Sequence, residues 1–332
     1  MKTKKQDFDF EGALFLYPDR VGWLRANELY DIFEGVHPED RSSINSTDLY
    51  FICKKPRLRI VEDSLFFKNN SLHIGFELSL KEGLKQQFLV INNYPLSEPL
   101  FHINQSNNSR VNHNQGTGTM PIEWLLYYLM DGINAQDPSL WFKQFEYKYV
   151  NNFEVLYIGK SFIKDGRSAF DRVKKHEKLQ EIMSNILTND PYNEVFVMFI
   201  EMSEAKVIFA SKEKNYSQNV ECKQLKELTH RANIPKEQLL SIAEACLIRY
   251  FEPEYNKNLK ENFPSSDLKL LKECYDYDFS TIVTEIGTEY IRCNTYSKKI
   301  SPSNRHIARF DLNNGEERPN IFRFSETLDT PK

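Results

Sequence analysis

Between Pro235 and Pro253 the chain carries one apolar stretch with helical spacing, and a glutamate interrupts its buried stripe. A proline at a helix start forfeits no intrahelical bond, whereas one beyond the end cannot continue the helix. The two prolines therefore bracket a helix. Leu240, Leu247, Ile248 and Phe251 recur on one side of it, and Glu244 falls among them. Glutamate is almost never fully buried without a partner, so a carboxylate on an apolar stripe calls for a cation. A hard divalent ion held by oxygen donors is one candidate, and a basic side chain on a neighbouring helix is the other.

An earlier helix is expected over residues 168–187, with Leu179, Met183 and Ile186 on its buried side and Asp171, Lys174, Lys178 and Glu181 on the other. Arg172 and His176, one turn apart, intrude on the buried side near its start. Arginine is permanently charged and forks onto phosphate, while histidine exchanges protons near neutral pH. Structural roles stay open: Arg172 paired with Glu146 or Glu154, His176 as a satisfied core group. Nearby, Lys160, Lys164, Arg167, Arg172, Lys174, Lys175 and Lys178 outnumber Asp165, Asp171 and Glu177. The chain as a whole has a net charge of −4 and a pI near 6.1. That balance argues against a protein that coats nucleic acid, but a local basic stripe suffices for a phosphate contact.

The 332 residues leave room for two domains. Alternation and β-branched or aromatic content predict strands at 13–17, 49–53, 58–61, 72–78 and 87–91, with a helix at 22–33 between them. Residues 104–118 read as a polar linker, and the pair Gly116 and Gly118 as flexible connection. A helix is expected to start at Thr119-Met120-Pro121, with Trp124, Leu125, Tyr128 and Leu129 as its core stripe. A hairpin follows, 145–150 and 153–159 joined at Asn151-Asn152, then a strand at 194–202 and a polar insertion to Asn233. Further on come a short helix at 267–274, two strands at 280–286 and 289–296 joined at Gly287-Thr288, and a polar tail expected to fray.

The five cysteines are scattered, with no Cys-x-x-Cys pair, so reduced thiols and no zinc site are expected. No signal peptide and no window of membrane-span length is read, which points to a cytoplasmic protein.

The order of motifs then carries a resemblance. Tyr157-Ile158-Gly159 at a strand end is followed by Lys160-Ser161, by Arg172 and His176 on a helix, and by Glu244 with Leu247-Ile248 on a later helix leading to Pro253 and Asn256. This series resembles the GIY-YIG nuclease family over residues 145–256, roughly a third of the chain. The family's first strand reads Gly-Ile-Tyr. Phe145-Glu146-Tyr147-Lys148-Tyr149 stands in its place, and Tyr147 suits the spacing to Tyr157 better than Tyr149 does.

The resemblance implies an α+β fold: a small antiparallel three-stranded sheet flanked by helices, beside a strand-rich N-terminal domain. The corresponding division is 1–110 for target or partner recognition, 111–144 as linker and bridging helix, 145–260 as nuclease domain with an insertion at about 203–234, and 261–332 as a C-terminal extension. It also implies a Mg2+-dependent endonuclease, with Mn2+ as substitute, hydrolysing phosphodiester bonds of DNA in preference to RNA, in restriction or antiviral (anti-phage) defence. Tyr147, Tyr157, Arg172, His176 and Glu244 are its expected catalytic residues, with Glu244 holding the metal. Gly159, Lys160, Lys175 and Asn256 are expected to contact substrate. The N-terminal domain would engage the target, a protein partner or a second copy. The alternative is a decayed nuclease core that binds or senses nucleic acid without cutting it.

Overall fold

The computed structural model describes residues 10–29, 47–92, 101–103, 110–113, 119–123, 125, 151–161, 173–211, 234–265, 268–276 and 279–312. Among these residues sixteen strands and three α-helices form, so the fold is strand-rich. The chain makes two compact units. One comprises Met1–Cys53, Val155–Leu179 and Val197–Lys332, and the other comprises Lys54–Glu154 and Gln180–Phe196.

The expected helix-flanked, three-stranded sheet is not what forms. The strand bearing Tyr157, β11 (Asn152–Lys160), belongs to a five-stranded sheet. Its order is β15 (Asn294–Tyr296), β11, β3 (Leu49–Pro56), β12 (Asn193–Met202) and β2 (Pro18–Arg25). The reason lies in β3. Leu49, Tyr50, Phe51, Ile52 and Cys53 are all buried. A strand apolar on both faces has to sit inside a sheet, and β3 lies between β11 and β12.

A second sheet in the first unit runs β13 (Lys206–Ser211), β1 (Phe10–Leu16), β14 (Phe279–Gly287), β16 (Arg305–Asp311). Here β1 and β14 are parallel, with a bulge between Gly12 and Ala13, and the other pairs are antiparallel. The helix bracketed by prolines forms as expected: α2 (Lys236–Phe251) follows α1 (Glu177–Asn189) and precedes α3 (Lys272–Asp276). Helix α2 packs on β14 and β16 and buries Leu240, Ile242, Ala243, Ala245, Cys246, Leu247, Ile248 and Phe251. Glu252 ends it in the left-handed region, at φ 48°. Cys246 and Cys274 are free and buried, and burial pushes both thiols up to about 12, which leaves them protonated and inert.

The other unit is built on β6 (Ser71–Leu80), with β4 (Leu58–Ile60) and β5 (Phe66–Lys68) along one edge and β7 (Gly83–Asn92) along the other, all antiparallel. One face holds the core: Leu58, Ile60, Leu72, Ile74, Phe76, Leu78 and Leu89, joined by Val111, Ile122 and Leu125. Strands β8 (Phe101–Ile103), β9 (Arg110–His113) and β10 (Thr119–Pro121) form a small antiparallel sheet. Lys55 and Glu123, 0% and 1% exposed, form an ion pair at 2.8 Å, with the ammonium 5.6 Å and 5.3 Å from the Phe153 and Phe196 rings.

Several expectations change at the level of elements. Residues 18–25 form β2, not the start of a helix, because Val21, Trp23 and Arg25 are buried in alternation. Thr119–Pro121 is β10, with helical backbone only from Ile122. The expected polar insertion begins with β13, which pairs with β1. Strand β14 pairs with β1 and β16, not with 289–296, where only Asn294–Tyr296 is strand. The stretch 145–150, and with it Tyr147 and Tyr149, lies outside the described residues, as do Lys164, Arg167, Arg172 and the tail from 313. Among the described residues no helix is long and apolar enough to cross a membrane.

Candidate active site

Three main-chain anchors fix where β11 ends. The Ser161 N–H donates to the Asp48 carbonyl at 2.7 Å, and the Asp48 N–H donates to the Ile200 carbonyl at 2.9 Å. The buried Asp48 carboxylate accepts the Met202 N–H at 2.9 Å and pairs with Lys236 Nζ at 3.0 Å. One aspartate thus ties the start of β3 to the ends of β11 and β12 and to the first residue of α2. Charge also favours it there, since a helix N-terminus carries partial positive charge.

With that register set, Tyr50 lands beside Tyr157. Their ring centroids are 6.1 Å apart, and the His176 ring lies 5.9 Å from Tyr50 and 5.5 Å from Tyr157. Gly159 makes this triangle possible. A Cβ there would stand 2.5 Å from Tyr50 Oη and 2.6 Å from its Cζ, so any larger residue would displace the phenol. His176 does not sit within a continuous helix: a helical turn at Val173-Lys174 precedes it, and α1 starts just after it. The His176 carbonyl accepts the Leu179 N–H at 3.0 Å, and its own N–H donates to Val173 at 3.0 Å.

Glu244 approaches from the other face. Tyr157 and Gly159 share one face of β11, and Ile158 and Lys160 share the opposite one. Lys160 Nζ donates to Ser241 Oγ on α2 at 2.6 Å, and Phe51, next to Tyr50, packs edge-on against Phe251 of α2 at 5.8 Å. Helix α2 therefore lies across the sheet from the tyrosines. The half-buried Glu244 carboxylate reaches the strand end, where Oε1 accepts the Lys160 main-chain N–H at 3.1 Å. The aromatic triangle and the carboxylate meet at two consecutive residues, Gly159 and Lys160.

The remaining expected residues take varied places. Asn256 is bonded at both ends of its amide to the Ile158 main chain, and the Tyr255 N–H donates to the Leu156 carbonyl at 3.0 Å. The segment after α2 is thereby laid along β11. Asn256 acts as a positioning residue rather than a group turned to solvent. Lys175 is exposed. Glu154, one of the two carboxylates considered for Arg172, pairs with Lys54 at 3.5 Å. Ser161 Oγ is buried at the end of β11 and finds no hydrogen-bond partner among the described residues.

Tyr50 and Asp48 are the residues that sequence reasoning missed. Their surroundings carry no chemical signal: Tyr50 stands in a run of apolar and aromatic residues that reads as an ordinary buried strand. Tyr50 also lies far ahead of Tyr157 in the sequence, so no local pattern links the two.

Among the described residues no group of three or more His, Cys, Asp or Glu side chains is placed to share a metal ion. Glu244 would hold a divalent ion as a single carboxylate, with water and phosphate oxygens completing the shell. That donor set suits Mg2+, which commonly binds through one or two carboxylates. No protein-family model matches the chain, and neither curated proteins nor solved structures give a match.

Proposed function

We propose that the protein is a Mg2+-dependent nuclease that hydrolyses phosphodiester bonds, with its site at the end of β11. The observation that carries this reading is the meeting of Tyr50, Tyr157 and His176 with the Glu244 carboxylate across Gly159-Lys160. Two phenols and an imidazole within 6.1 Å of one another offer hydroxyl and ring-nitrogen groups that can orient a water and take its proton. Gly159 leaves the strand bare of a side chain, and that space holds the Tyr50 phenol close to Tyr157. Glu244 is the residue that would hold Mg2+, and the ion, when bound, supplies Lewis-acid stabilisation of phosphate oxygens. Arg172, by its resemblance to the family, is assigned the charge that builds on phosphorus during displacement.

The resemblance to GIY-YIG nucleases supports the choice of chemistry through the motif order, not through the fold, which differs. DNA is proposed ahead of RNA, and a restriction or anti-phage role goes with it. Free buried thiols at Cys53, Cys246, Cys274 and Cys293 suit a reducing compartment, so the cytoplasm is the proposed location.

A second reading, a decayed core that binds nucleic acid without cutting it, is favoured by one observation. Lys160 and Asn256, both expected to touch substrate, have their polar heads engaged within the protein.

The deciding experiment is a gel assay of DNA and RNA cleavage with Mg2+, with EDTA, and with Glu244→Gln. The nuclease reading expects cutting that needs Mg2+ and falls on the order of a thousandfold in the variant. Cutting that persists unchanged in EDTA and in Glu244→Gln overturns it. Absence of cutting on every substrate, with binding retained, selects the decayed core.

A further inference from the structure

Lys160 holds helix α2 at two points one helical turn apart. Its main-chain N–H donates to Glu244 Oε1 at 3.1 Å, and its ammonium donates to Ser241 Oγ at 2.6 Å. Residues three apart share one side of a helix, so both acceptors face the end of β11. Ser241 is itself oriented. Its hydroxyl donates to the Glu237 carbonyl one turn back at 2.8 Å, which turns the lone pairs of the oxygen to the ammonium. A serine inside a helix gains little from that back-bond alone, because it competes with the helix's own ladder. Its use at this position is as the acceptor for Lys160.

We infer that Lys160 and Ser241 are positioning residues for the Glu244 carboxylate and do not themselves grip substrate. A glutamate side chain turns about several bonds, and a single hydrogen bond leaves the strand end free to rock against the helix. The second bond, one turn away, removes that freedom and sets where the carboxylate stands beside Gly159. A carboxylate that holds Mg2+ needs such support, because the ion demands near-octahedral geometry and outer partners orient its ligands. The rest of α2 is fixed elsewhere, by Lys236 on Asp48 at its start and by Asn256 on Ile158 beyond its end. Loss of the Lys160–Ser241 bond thus loosens the carboxylate without unfolding the helix. An engaged ammonium counts against a lysine as a phosphate contact, but it is what an orienting lysine requires. The metal at Glu244 rests on the nuclease reading, whereas the two-point hold does not.

Two measurements on the full chain test this. In the first, Lys160→Met and Ser241→Ala break the same bond. Each should lower kcat roughly tenfold, and the double variant no further, with KM, its salt dependence and the circular dichroism as in wild type. Ser241→Thr keeps the hydroxyl and should retain activity. If Lys160 touches phosphate instead, Lys160→Met raises KM and reduces the slope of log KM against log salt by about 1, while Ser241→Ala cuts as fast as wild type. That outcome overturns the inference. The second measurement needs no cutting. In NMR spectra with isotope-labelled lysine, the Lys160 amide resonance is assigned by its loss in Lys160→Arg. It should move in Ser241→Ala toward its position in Glu244→Gln, and stay in place in Ser241→Thr. A resonance that moves in Glu244→Gln but not in Ser241→Ala overturns the inference whether or not the protein cuts. Movement in both, in a protein that cuts neither DNA nor RNA, removes the nuclease and keeps the positioning pair.

Discussion

The side chain of Asn256 closes a two-point ring on Ile158: Oδ1 accepts its N–H and Nδ2 donates to its carbonyl, both at 2.9 Å. The amide acts as a surrogate strand, giving the edge of β11 the donor and acceptor that a neighbouring backbone would have offered. Asn256→Ala leaves both buried groups of Ile158 without a partner and should lower stability by about 2–4 kcal/mol. Asn256→Asp keeps the acceptor but removes the donor and should also destabilise. Urea unfolding of the variants measures this, and a loss below about 0.5 kcal/mol for Ala would mean that water replaces the amide at little cost.

Tyr50 supplies the second phenol of the site, and its hydroxyl is the test of that role. On the proposed nuclease reading, Tyr50→Phe, which keeps the ring over Gly159, should lower cleavage about a hundredfold with the fold retained by circular dichroism. Gly159→Ala, by contrast, should lower both stability and cleavage, because the new methyl collides with the phenol. Trimming the partner in Tyr50→Ala/Gly159→Ala should recover stability without activity. A Tyr50→Phe variant that cuts as fast as wild type, beside a slow Tyr157→Phe, would take Tyr50 out of the proposed chemistry.

Lys55 and Glu123 form a pair with almost no access to water. Removing one partner strands the other charge in an apolar setting, so Lys55→Met should destabilise by about 3–5 kcal/mol. Lys55→Met/Glu123→Leu removes both charges and should cost less than either single change. A double-mutant cycle by chemical denaturation reads the coupling, and additive losses would argue against a direct pair.

His306 predicts an acid limb in the stability profile. Its ring lies 2.8 Å from the Thr295 carbonyl through Nε2 and 3.2 Å from Tyr250 Oη through Nδ1. Burial holds its pKa below the ordinary value of 6.5, and the carbonyls of Thr295 and Ser303 oppose that shift without cancelling it. Above pH 6.5 both folded and unfolded chains carry a neutral ring, and the contribution is fully present. As the pH falls, the unfolded chain takes up the proton first, so stability is lost down through the folded value. Unfolding free energies at neutral and mildly acidic pH, compared with His306→Gln, should show a shallower acid limb in the variant.

The parts legible in the sequence were those set by local rules. Helix α2 follows from Pro235, Pro253 and the spacing of its apolar residues, and β6 follows from its alternation. Tyr157, Gly159 and Glu244 stood out because each is unusual for its immediate surroundings. The illegible parts depend on distant pairing. Nothing near Leu49–Pro56 says that its partners are β11 and β12, since a strand buried on both faces looks alike wherever it docks. The alternation of Val21, Trp23 and Arg25 in β2 spans too few residues to stand out from Gly22 and Leu24 beside them.

The nesting of one unit within the other sets a clock on synthesis. Tyr50 leaves the ribosome about a hundred residues ahead of Tyr157, and at 5–20 residues per second the wait is about 5–20 s. During it β3, apolar on both faces, has neither of its neighbours in the finished sheet, whereas β4 to β7 are contiguous in sequence and can pair at once. The β4–β7 sheet is therefore expected to form first, and the bare β3 is the segment that a nascent-chain chaperone would have reason to shield.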